Sequence, residues 1–358
     1  MIHPRRRIAI LAEGKFAPLS AKTAAGVIRY SPHEIVAVID STQAGRCVRD
    51  ILGYGGETPI VAGVDQALAM RPEVLLIGIA PSGGQLPPEF RRDVREAIGH
   101  GIEIWSGLHS FLGNDAGLSE LAARTGARLW DVRRPPAVLD VAMGRALRAR
   151  AFIVLTVGSD CNVGKMTAAL EMEKEAQRRG YKAEFVATGQ TGILIEGDGT
   201  PLDAIPGDFM SGEVERLVMA CDADGADAVF VEGQGALMHP GFGPVTLALM
   251  LGAMPDAFVL VHQPERACYR PDYDIELPPL PDIIEGYERL MLPYKAPKTT
   301  GVCLNTYHMS EQDGLAAIQD TARQTGLPTT DPVRTGIGPI VDALEPHIRR
   351  KLGWQKTG

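Results

Sequence analysis

The chain has 358 residues, 45% of them apolar and 22% charged, and a formal net charge of -8. It is too long for one hydrophobic core and too apolar for a disordered chain, so about two globular domains are expected. The acidic balance gives no basic face for nucleic acid or for an anionic membrane, which leaves small molecules as the expected partners. The opening "MIHPRRRIAILAEGKF" starts basic, but Glu13 and Lys15 break its apolar stretch too early for a signal peptide. No later run approaches the ~18 apolar residues of a membrane span. Five cysteines without a C-x-x-C pair suggest neither a disulfide framework nor a zinc site, and a cytoplasmic location is expected.

The first third alternates short β-rich runs with helical patterns: "RIAILA", a helix around "LSAKTAAGVIRY", then "EIVAVID" (34–40) and "VLLIGIA" (74–80). Parallel strands joined by crossover helices follow from that order. No G-x-G-x-x-G follows the first strand, so a dinucleotide site is not supported. Asp40 ends a strand, either as a ribose-binding acid or as a turn former or cap. Pro135 and Pro136 then interrupt regular structure, and "VLDVAMGRALRAR" reads as a helix. The boundary is expected there, giving a Rossmann-like domain over 1–140 and a second domain over 141–358. In the second, "AFIVLTV", "AEFVATG", "AVFVEGQG", "AFVLVHQ" and "GVCLNT" read as buried parallel strands. The Pro-rich "RPDYDIELPPLPDI" (270–283) reads as an ordered loop over the site.

The chemistry concentrates in "GSDCNVGKMT", between "AFIVLTV" and a charged helical stretch, "TAALEMEKEAQRRG", that Gly180 should stop. A glycine-rich turn opening into a helix aims main-chain N–H groups and the helix dipole at one point, where an anion is favoured. Lys165 adds a full charge. Gly158, Ser159, Asp160, Asn162, Val163, Gly164, Lys165, Met166 and Thr167 are therefore the candidate phosphate-binding residues. Cys161 lies among the same amides, where Lys165 would favour a thiolate and a minor role as acyl nucleophile. Two departures qualify this loop. Five residues, not four, separate its glycines, and Met166 stands where a Ser or Thr hydroxyl ordinarily ligates Mg²⁺. Thr167 is displaced by about 100° around the helix. Metal-assisted phosphoryl transfer is thus disfavoured and no protein metal site is expected; whether Mg²⁺ takes part stays open.

The spaced loop resembles that of dethiobiotin synthetases. "VFVEGQGAL", with Glu232, is similar to their V-E-G-x-G element, and "GVCLNT" places Asn305 where they use an Asn for the base. The whole chain resembles the D-glutamate N-acetyltransferase family through "AKTAAGVIRY", "EIVAVIDSTQAG", "WDVRRPP", "VGSDCNVGKMT", "EFVATGQTGI", "VEGQGAL" and "HP". That resemblance implies an α/β protein of two domains, an N-terminal Rossmann-like parallel sheet and a C-terminal P-loop parallel sheet. It implies acetyl transfer from acetyl-CoA, as co-substrate, to the amine of D-glutamate or a related amino acid, without ATP hydrolysis. A homo-oligomer is expected.

Acetyl transfer needs a base, an oxyanion site and a grip on the acceptor. Glu232 and His239 are the candidate bases; Glu232 could equally orient a metal-bound water, and His239 could cap a turn. Gln190, Thr191 and the amides of "TGQTG" are candidate oxyanion and substrate contacts, or shape a turn. Arg133, Arg134 and Arg270 lie in Pro-containing loops and suit the carboxylates of an acceptor. Asp208 reads as an N-cap. Two other readings compete: an ATP-dependent ligase or kinase, and a non-enzymatic nucleotide-binding switch.

Overall fold

The computed structural model describes residues 5–353 apart from Leu19, Ser82, Pro271 and Asp272, so Pro271 and Asp272 of the expected 270–283 loop lie outside the described residues. Strands β1 (Arg7–Leu11), β2 (Glu34–Ile39), β3 (Ile60–Val61), β4 (Val74–Ile77), β5 (Glu103–Ser106) and β6 (Leu129–Asp131) alternate with helices α1 (Lys22–Tyr30), α2 (Val48–Leu52), α3 (Val64–Leu68), α4 (Phe90–Gly99) and α5 (Ala116–Thr125). Then come β7 (Phe152–Gly158), α6 (Lys165–Arg178), β8 (Ala183–Val186), α7 (Gln190–Glu196), α8 (Gly207–Ala223), β9 (Ala228–Val231) and α9 (Gly243–Ala253). The chain continues through β10 (Ala257–His262), α10 (Leu280–Met291), β11 (Lys298–Leu304), α11 (Glu311–Thr325), β12 (Thr329–Thr330) and α12 (Gly338–Lys351).

These elements form two compact units, and the division is not a single cut. One unit takes the residues up to Pro135 together with Gln190–Ala204; the other takes Pro136–Gly189 and the chain from Ile205 onward. The expected 140/141 boundary therefore leaves out an excursion in which α7 returns to the N-terminal unit.

In the N-terminal unit the sheet order is β3-β2-β1-β4-β5-β6, all parallel. Ile8, Ile10, Leu11, Val38, Ile39, Leu76 and Ile77 are wholly buried, as strands covered on both faces must be. The strand order reverses between β1 and β4, the position where open α/β sheets keep their ligands. Asp40 is buried there, but its carboxylate accepts from Gly14 N (3.1 Å), Phe16 N (2.9 Å) and Thr42 N (3.0 Å), so it ties the turn after β2.

The second unit has the order β12-β11-β10-β7-β9-β8, again parallel throughout. All seven residues of β7 are buried at its centre, which brings the loop after it to the sheet's switch point. Helix α6 ends as its sequence predicts, with Arg178 in the last turn and Gly180 at φ 88°. The helix expected over "VLDVAMGRALRAR" does not form. Residues 138–143 are irregular and only Arg145–Arg148 make a 3₁₀ turn. Here the buried Glu215 carboxylate outcompetes helical pairing, taking Met143 N (3.0 Å), Arg145 N (2.5 Å) and Arg145 Nε (2.7 Å). Gly212 in α8 admits the backbone: a Cβ there would lie 1.8 Å from Asp140 O. No helix among the described residues is long and apolar enough to cross a membrane.

Candidate functional site

β7 ends at Gly158 and α6 begins at Lys165, and the intervening loop wraps around the lysine itself. A Cβ on Gly158 would meet Lys165 Nζ at 2.6 Å and Asp160 O at 2.7 Å, so only glycine lets the ammonium fold beneath the turn. Asn162 (φ 55°) and Gly164 (φ 111°) take the left-handed conformation that closes it. Lys165 is 6% exposed, and its Nζ donates to Asp160 O at 2.7 Å. Burial pushes its pKa down to about 8. A desolvated cation at a helix N-terminus, hydrogen-bonded to a carbonyl, is what an anionic ligand would stabilise. Met166 and Thr167 occupy the first turn of α6, half-buried.

The loop is latched from the chain after β10. Asp160 is wholly buried, and its carboxylate accepts from Cys161 N (2.6 Å), Arg266 Nη1 (2.5 Å) and Arg270 N (3.1 Å). Arg266 also donates to Cys161 O at 2.6 Å. Ser159 Oγ pairs with His262 Nδ1 at 2.8 Å, and burial, with the Arg266 charge, pushes the His262 pKa down to about 4. Tyr287 donates its hydroxyl proton to Gly158 O (2.8 Å) and accepts from Leu237 N (2.9 Å). The side chains of Asp160 and Ser159, expected to face a ligand, are thus turned inward to hold the loop's shape. Cys161 also departs from expectation: burial, the dominant cause, raises its thiol to about 11 despite Lys165, so it carries no thiolate near neutrality. Arg266, His262 and Tyr287 were not singled out from the sequence. Arg266 lies 106 positions from Asp160 in the chain, and nothing local marks it as a partner.

Glu232 follows directly on β9. Gly233 lets the chain cross β7 closely, since a Cβ there would be 1.8 Å from Thr156 O and 2.9 Å from Lys165 Cδ. Glu232 Oε2 accepts from Thr188 N (2.9 Å) and Gly189 N (3.1 Å), while Thr188 Oγ1 donates to Glu232 O (2.7 Å). Gln234 Nε2 donates to the same hydroxyl at 3.2 Å. Glu232 is 4% exposed, and burial raises its pKa to about 7 against the opposing pull of these N–H groups and of Lys165. A carboxylate so tuned exchanges a proton near neutral pH.

His239 is arranged differently. Its Nδ1 accepts from Gly241 N (3.0 Å) and Phe242 N (3.1 Å), which assigns the ring proton to Nε2, and Nε2 donates to Arg270 O at 2.6 Å. Both nitrogens are engaged, so the ring organises its loop and has no lone pair for a substrate proton. Asp160, Cys161 and His239 bring ligand atoms within 4.8 Å of one another. Arg266 already pairs with that carboxylate, and a cation there would have to displace it. Asn305 lies beside the loop, about 4.0 Å from where a Gly164 Cβ would be, and its Oδ1 accepts from Tyr307 N. Arg270 meets the latch through its backbone, and its residue surface is exposed. Asp208 sits in the first turn of α8, whose cap is Pro206, so it is not the N-cap expected.

The other candidates belong to the N-terminal unit. Gln190 is buried against Gly107, and Thr191 Oγ1 lies 3.3 Å from Thr23 Oγ1. Arg133 donates to Gly107 O (2.7 Å) and to Asp203; Arg134 donates to Asn114 (3.3 Å) and stacks 4.7 Å over the Phe111 ring. Two of the three arginines expected to hold a carboxylate substrate, Arg133 and Arg134, thus have partners inside the protein.

Residues 140–341 match a P-loop domain described as Domain of unknown function (DUF1611_C), and residues 41–135 match its Rossmann-like companion, DUF1611_N. A protein of Tritonibacter scottomollicae named D-glutamate N-acetyltransferase is 39% identical over 333 residues, 91% of this chain and 94% of its own length. Another of that name, from a Pseudoalteromonas species, is 34% identical over 280 residues, 78% of this chain and 83% of its own. The crystal structure of a DUF1611 family protein from Anabaena variabilis superposes with a TM-score of 0.91 at 40% identity, covering 96% of this chain and all of that one. The chain belongs to the DUF1611 family, the D-glutamate N-acetyltransferase family of acyltransferases built from a Rossmann-like and a P-loop domain.

Proposed function

We propose that this enzyme moves the acetyl group of acetyl-CoA to the amine of D-glutamate or a related amino acid. The observation that carries the reading is one juxtaposition. A buried lysine in a glycine-built anion cradle runs past Gly233, next to a buried carboxyl whose pKa is raised to about 7. The cradle suits the pyrophosphate of CoA, gripped by main-chain N–H groups at the start of α6 and by Lys165. Glu232 takes the proton that the acceptor ammonium must lose before its nitrogen attacks the thioester carbonyl. As the C–N bond forms, N–H groups near the strand ends stabilise the oxyanion; as the C–S bond breaks, the second proton shed by the acceptor nitrogen goes to the leaving sulfur, so that CoA departs as the free thiol and Glu232 releases the first proton to solvent. Incubating the pure protein with acetyl-CoA or with ATP and a panel of D- and L-amino acids tests this reading. Free thiol should appear only with acetyl-CoA and an acceptor; ADP release would overturn it in favour of a ligase or kinase.

Chelating divalent metal should leave acetyl transfer within about twofold, because no phosphoryl oxygen gains charge and Met166 offers no hydroxyl to a metal. Complete loss in chelator, restored by Mg²⁺, would count against the reading. The pH dependence follows from the two buried groups. kcat/KM for acetyl-CoA should rise as Glu232 loses its proton at about 7 and fall as Lys165 loses its own at about 8. kcat at saturating acetyl-CoA should lack the upper limb, since a bound phosphate holds the lysine proton in place.

A further inference from the structure

Glu232 depends on two backbone N–H groups, those of Thr188 and Gly189, and the next residue in the chain, Gln190, opens α7. Helix α7 and the turn after it pack into the N-terminal unit at the carboxyl edge of its sheet. Thr191 meets Thr23 at the start of α1, Gln190 is pressed on Gly107 after β5, and Asp203 pairs with Arg133 after β6. Arg133 Nε holds the carbonyl of that same Gly107 at 2.7 Å. The fit at Gly107 is closed, since a Cβ would sit 1.7 Å from Gln190 Oε1. This is where a dinucleotide would bind in a Rossmann-like sheet, and the chain's own α7 lies there instead.

We propose that the N-terminal unit works as a clasp on α7, and that Thr23, Gly107, Arg133 and Asp203 are positioning residues for the Thr188–Gly189 amides that seat the Glu232 carboxylate. The proposal rests on the proton-transfer role given to Glu232 above and adds a task for the first domain. Loosening the clasp lets α7 drift and weakens those two N–H bonds. Because they favour the ionised carboxylate, and because Lys165 is the cation opposing burial beside it, the base should then deprotonate at higher pH.

The test compares Thr23→Val, which keeps shape and removes the hydroxyl pair, with Gly107→Ala and Arg133→Ala. Hydrogen exchange of the peptide covering 186–192 is read first, since it does not require turnover. Protection of that peptide should fall in all three variants while β7 and α6 keep theirs. Kinetically, kcat should drop about tenfold, KM for acetyl-CoA should stay within about twofold, and the acidic limb of kcat/KM should move to higher pH. Arg133→Lys, which retains a cation for Asp203, should recover part of the loss. Unchanged exchange at 186–192 in folded Thr23→Val and Gly107→Ala overturns the clasp. Altered exchange in a protein that transfers no acetyl group keeps the clasp and rejects the acetyl-transfer reading.

Discussion

Glu232→Gln is expected to lower kcat by about 100-fold or more while KM for acetyl-CoA stays within about twofold. The amide is isosteric and its oxygen can still accept from Thr188 N and Gly189 N, so the fold about β9 is kept and only the basic carboxylate is lost. Raising the pH should partly rescue the variant, because more of the acceptor arrives as free amine. Stability gives an independent check. Burial holds the folded-state pKa at about 7, above the ordinary carboxylate value, so the folded chain favours the protonated form. That contribution is present in full below the ordinary value and is lost as pH rises through about 7. The neutral amide carries no such loss, so the Tm of the variant should improve relative to wild type between about pH 5 and about pH 8. If the variant instead fails to bind CoA and turns over normally at saturation, Glu232 belongs to the cofactor grip and is not the base.

Lys165→Ala should act on the other half of the reaction. A charge-assisted hydrogen bond to a phosphate contributes about 1.5–3 kcal/mol, so KM for acetyl-CoA should rise roughly 10- to 150-fold, with a matching loss of CoA affinity by titration calorimetry. KM for the acceptor should change little. Lys165→Arg should not restore binding, because the turn already packs so closely on Nζ that even a Cβ on Gly158 would lie 2.6 Å from it, and a planar guanidinium fork is wider than an ammonium. Wild-type affinity in Lys165→Ala would show that the loop does not hold CoA phosphates.

Much of this was legible before the structure because it is written in local patterns. The parallel strands announce themselves as apolar runs, and the anion loop as glycines around a lysine at a strand-to-helix turn. Glu232 was legible for the same reason, as an acid at the end of a buried strand. What the sequence hides depends on partners far along the chain. Asp160 reads as a loop residue facing a ligand until Arg266 turns its carboxylate inward. Arg133 reads as a free cation until Asp203 takes it. The pattern "VLDVAMGRALRAR" has helical periodicity, yet Glu215 supplies better acceptors for its backbone than a helix would. His239 looks like a base in any list of residue types, and only two N–H groups arriving from its own loop reveal that its lone pair is used.

The return of α7 to the first unit has a consequence for synthesis. A ribosome making this protein finishes the last N-terminal strand at Asp131, but the sheet edge waits for Gln190–Ala204, which come only after the P-loop and its helix have been made. During that interval, seconds at a typical elongation rate of about 5–20 residues per second, Gly107 and Thr23 face water. The first domain is therefore not finished when its own strands are. A fragment ending at Pro135 would lack a piece of its own structure, and the two halves cannot be exchanged between relatives as independent modules without carrying that segment along.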